Sequence, residues 1–163
     1  MPSPPEHRDP NRAVRRAAIR AFSRTELASL SVERMAQAAA DPQPSNPDYV
    51  QVLEACSLAE AYATLTGMSY EEALDRIVRD AKVLYEARLA AAAEWLRTCH
   101  ALGGDSQGVR AVYETDQAPT AAMTAYAVAA DIPYPQACRD IYVDHAVICP
   151  DHTRGPSLGE DTT

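Results

Sequence analysis

From Ser69 to Leu102 the chain runs without a single Gly or Pro, and Gly103-Gly104 closes the run. Neither the flexible nor the helix-breaking residue interrupts it, so the segment predicts one helix far longer than the soluble average of about 11–12 residues. Ser69-Tyr70-Glu71-Glu72 opens it with a capping box, in which Ser accepts from the N3 amide and Glu reaches back to the cap N–H. A stripe of Leu74, Ile77, Val78, Ala81, Leu84, Tyr85, Leu89, Ala92, Trp95, Leu96 and Cys99 recurs near the period of 3.6. A strict heptad breaks at Arg88, which favours a globular bundle over an extended coiled coil.

The partner of this helix stands just before it. Asn46-Pro47 reads as N-cap and first helical residue, and Gly67 as the left-handed stop. Residues 47–66 and 69–102 therefore form an αα-hairpin. At about 1.5 Å per residue its arms differ by about 20 Å, so the distal stripe through Trp95 and Cys99 needs cover from the C-terminal helices or another chain. Upstream, Asn11–Phe22 reads as a basic amphipathic helix. Arg12, Arg15, Arg16 and Arg20 share one face, and Val14, Ala17, Ala18, Ala21 and Phe22 the other. Ser23 with Glu26 predicts a capping box and a second helix from Arg24 to about Ala40, bent at Ser29-Leu30-Ser31. Three shorter helices follow the two glycines, near 105–114, 119–130 and 134–147. The expected fold is a single all-α domain over 11–148, a helical bundle of about six helices built on the long hairpin (47–66 / 69–102). Residues 1–10 read as a disordered lead and 149–163 as a flexible tail.

Charge narrows the partners. The net charge is −8. Residues 1–24 hold six Arg against Glu6 and Asp9, a balance of +4, which leaves −12 on the remainder. That acidic body repels nucleic acid and anionic membranes, whereas the N-terminal arm attracts anions. Fourteen of the fifteen basic residues are Arg and only Lys82 is Lys, a bias expected of a high-GC coding sequence such as an actinobacterial or phage one. No apolar leader is present, and the longest uncharged stretch, Gln117–Ala130, is shorter than the ~20 residues of a spanning helix. A cytoplasmic protein without membrane attachment is expected, its four cysteines reduced.

Chemistry-bearing patterns are few. The chain lacks Glu-x-x-His, H-E-x-x-H and a Gly-rich phosphate loop. Cys99-His100 and Cys149-Pro-Asp-His152 together offer a weak four-ligand zinc set. The helices over 119–147 suit a degenerate helix-turn-helix. Ala127 and Ala137 are small where the helices cross, Asp131-Ile132 forms the turn, Ile141 faces inward, and Gln136, Arg139 and Tyr142 point outward. Against this, 105–148 holds six acidic residues and two arginines, a poor set for phosphate contacts. The expected function is a non-catalytic interaction or regulatory protein without a cofactor, binding a protein partner or itself as a homo-oligomer. Its expected contacts are Arg12, Arg15, Arg16, Arg20 and Trp95. A DNA-binding regulator is the alternative, followed by a small metal-bearing or Cys/His enzyme.

Overall fold

The computed structural model describes residues 10–101 and 120–148. They form six α-helices and no strand, an all-α architecture. These are α1 (Pro10–Ser23), α2 (Val32–Ala40), α3 (Tyr49–Thr66), α4 (Tyr70–Ala101), α5 (Ala121–Ala130) and α6 (Tyr134–Ile148), with a 3-10 turn at Glu26–Ser29 between the first two. None of these helices is long and apolar enough to cross a membrane. The expected helix near 105–114 lies outside the described residues.

The hairpin forms as its punctuation dictates. Gly67 adopts φ +75°, where a Cβ would be strained, and its N–H reaches back to the Ala63 carbonyl at 2.9 Å. The Glu72 amide donates to Ser69 Oγ at 3.1 Å, which starts α4. α4 then runs unbroken for 32 residues. The start of α3 differs from expectation by two residues. Asn46 Oδ1 accepts the Asp48 amide at 2.8 Å in an Asx turn, so Asn46 shapes the approach and Asp48 takes the cap position.

The Ser23/Glu26 capping box does not form. Ser23 and Thr25 are buried, and their hydroxyls donate back to the Arg20 and Phe22 carbonyls at 2.8 and 2.9 Å. The Glu26 amide instead donates to the Asp48 carboxylate at the head of α3. The expected 24–40 helix is therefore a 3-10 turn followed by α2, whose N-cap is Ser31.

Two compact units divide within α4, between Tyr85 and Glu86. In the first, α1 packs on α3, and the core holds Ala18, Ile19, Phe22, Leu27, Met35, Val52, Ile77 and Val78. In the second, α5 packs on α6 around Met123, Tyr126, Ala137 and Ile141. The same unit buries Ala91, Trp95 and Cys99 of α4. Thr120 caps α5 by accepting the Met123 amide, and its hydroxyl donates to Glu94 Oε1 at 2.7 Å, setting the start of α5 beside the distal half of α4.

The lone lysine braces the first unit. Lys82 Nζ donates to the carbonyls of Ala28 (3.0 Å) and Leu30 (2.8 Å), where the 3-10 turn exits, and lies 5.7 Å from the Tyr85 ring centroid. Lys82→Met keeps the aliphatic stem and removes both donors. Charge-assisted hydrogen bonds of this kind are worth about 1.5–3 kcal/mol, so the variant is expected to lose about that much unfolding free energy in urea followed by circular dichroism. An unchanged midpoint and slope would show that the turn is held without the ammonium.

Candidate functional site

Helix α3 carries the surface that folding leaves unexplained. Its inner face, Val52, Ala55, Ala59, Tyr62 and Ala63, is buried. At one hundred degrees per residue the opposite face presents Val50, Leu53, Glu54, Ser57, Ala61, Thr64 and Leu65, with Gln51 and Glu60 at its edges. Val50 is 68% exposed, Leu53 40% and Leu65 47%. Glu54 and Glu60 are the only charged residues of the helix. A surface helix ordinarily shows a charged outer face, and one that is apolar all round is ordinarily buried. α3 stands between the two: Gln51, Glu54, Ser57, Glu60 and Thr64 are five of its nine exposed positions, and Val50, Leu53, Ala61 and Leu65 are the rest. Val50 and Leu53 lie near its start and Leu65 in its last turn, with Glu54, Ser57 and Ala61 between them. Sequence analysis singled out no residue of α3; the signal available there was its low charge, with Val50, Leu53 and Leu65 on the same side as the polar residues.

The arginines of α1 are engaged differently. Arg15 donates to the Asp80 carboxylate of α4, a part-exposed ion pair within the first unit. Arg12 is exposed, and Arg16 and Arg20 are half-buried. Opposite them Ala18, Ile19 and Phe22 are buried, with Val14, Ala17 and Ala21 half-buried. At Arg15, then, the basic face meets the chain's own acidic body.

Trp95 is corrected. Its exposure is 0%, so the ring belongs to the core of the second unit and is not a contact of the folded chain. Of the expected distal stripe, Trp95 and Cys99 are buried and Ala92 and Leu96 half-buried, whereas Leu89 is 48% exposed. The sequence pattern thus placed Trp95 and Cys99 inward correctly and Leu89 incorrectly.

The turn between α5 and α6 has the stereochemistry of a tight helix–helix corner. Asp131 sits in the left-handed region (φ 58°, ψ 50°), and the Ile132 amide donates to the Ala127 carbonyl at 3.0 Å, a Schellman-type closure. Ala127, Ala137 and Ile141 are buried, and the Tyr126 hydroxyl donates to Asp140 Oδ2 at 3.3 Å. Of the outward residues, Arg139 is exposed and Gln136 half-buried. The Tyr142 side chain lies outside the described residues. An open groove of about 550 Å³ runs over the turn, lined by Ala127, Val128, Ile132, Pro133 and Tyr134 with Thr124 and Asp131.

The metal and nucleophile candidates do not assemble among the described residues. Cys99 is buried while His100 is exposed, so these neighbours address opposite sides of α4. Cys149 and His152 lie outside the described residues. No three His, Cys, Asp or Glu side chains among the described residues are grouped to hold a metal ion. Cys56 donates its thiol to the Ala39 carbonyl at 3.2 Å. Burial pushes that thiol above its ordinary pKa, and the Tyr70 hydroxyl offsets the rise only in part. Tyr70 is itself raised well beyond the usual phenol range by burial, by its bond to Cys56, and by the charges of Cys56 and Glu60. A thiol held protonated is a poor nucleophile and metal ligand.

No protein-family model, curated protein or solved structure matches this chain.

Cys56 and Tyr70 give the fold an alkaline edge. A group that keeps its proton more firmly in the folded chain stabilises the fold below its ordinary pKa, and that contribution falls away as pH rises past it. Unfolding free energy is expected to decline above about pH 8.5, the ordinary thiol range. The slope approaches about 1.4 kcal/mol per pH unit for each proton involved. Cys56→Ala with Tyr70→Phe is expected to flatten the decline in urea melts between neutral and alkaline pH. An identical slope in the double variant would assign the loss to other groups.

Proposed function

We propose that this chain is a non-catalytic helical interaction protein of the cytoplasm, binding a protein partner or a second copy of itself without a cofactor. The observation that carries the reading is the outer face of α3. It exposes the apolar Val50, Leu53 and Leu65, and Glu54 and Glu60 are its only charged residues. The arginine face of α1 is the second expected contact, and within it Arg15 is paired to Asp80.

The test combines mass with proximity. A photo-cross-linker at Ser57 is expected to give covalent adducts in the expressing cell, to a partner or to a second copy, while one at exposed Arg34 on α2 gives none. Sedimentation over a concentration series distinguishes the two kinds of adduct. Leu53→Glu is expected to abolish the adduct and any self-association while leaving the helical signal intact. A strictly monomeric chain with no adduct at Ser57 would sink the reading.

A DNA-binding regulator is kept as a second reading because Asp131 adopts the left-handed turn between two helices that bury Ala127 and Ala137. Charge weighs against it, since 120–148 holds Asp131, Asp140 and Asp144 against Arg139. Lack of binding to duplex DNA by fluorescence anisotropy, even at low salt, would remove it.

A further inference from the structure

We draw no further inference here: the strongest candidate, the open groove over the turn between α5 and α6 lined by Ala127, Val128, Ile132, Pro133 and Tyr134, is an apolar face for which nothing in the structure shows what covers it.

Discussion

Everything in this structure hangs on one continuous helix that supplies an inward face to two cores. A helix of 32 residues is about 48 Å long, against 18 residues in α3 before it. Its buried positions run Ala73, Leu74, Ile77, Val78, Ala81 and Leu84, then resume at Ala91, Trp95 and Cys99. Between Leu84 and Ala91 no residue is buried. The division into two units falls inside that gap, where Arg88 breaks the apolar stripe. Helix propensity favours continuity across the gap, because Glu86-Ala-Arg-Leu-Ala90 is made of strong helix formers. α4 is thus a shared element, stabilised by packing at both ends and by its own hydrogen bonds in the middle.

How much of this could be read in advance depended on whether a signal was local. Gly67 and Ser69 were legible because a left-handed stop and an N-cap act within a few residues of themselves. The Ser23/Glu26 box has the same local pattern and failed. There the hydroxyls of Ser23 and Thr25 are buried and satisfy carbonyls of α1, while the Glu26 amide is claimed by Asp48, 22 residues away. The position of Lys82 was likewise invisible, since its two acceptors lie more than fifty residues upstream. Periodicity placed Trp95 on an inward face but held no information on its cover. The contact between Thr120 and Glu94 spans 26 residues, and pattern reading does not reach that far.

The candidate surface was illegible for a different reason. Hydrophobic periodicity locates a core when one face of a helix is apolar and the other polar. In α3 both faces are uncharged apart from Glu54 and Glu60, so the pattern does not separate the side that packs on α1 from the side that meets solvent. Only the fold makes that distinction. The arginines of α1 mislead in the opposite direction. A row of four on one face reads as an outward binding strip, yet Arg15 is drawn onto Asp80 of the same chain. Opposite charge within one sequence is satisfied at home before it is offered to a partner.

The outer face of α3 and the arginine face of α1 differ in what covering each would cost. A part-exposed ion pair such as Arg15–Asp80 contributes little net stability, about 0–1 kcal/mol, but a partner must break or bypass it to use the arginine. Val50, Leu53 and Leu65 present no such competition, since they give up only water when covered. Their exposure gains the folded monomer nothing. Inner residues Val52, Ala55, Ala59, Tyr62 and Ala63 already close the core, and polar replacements on the outer face would leave that core untouched. The composition of α3 is therefore accounted for by folding on one side only.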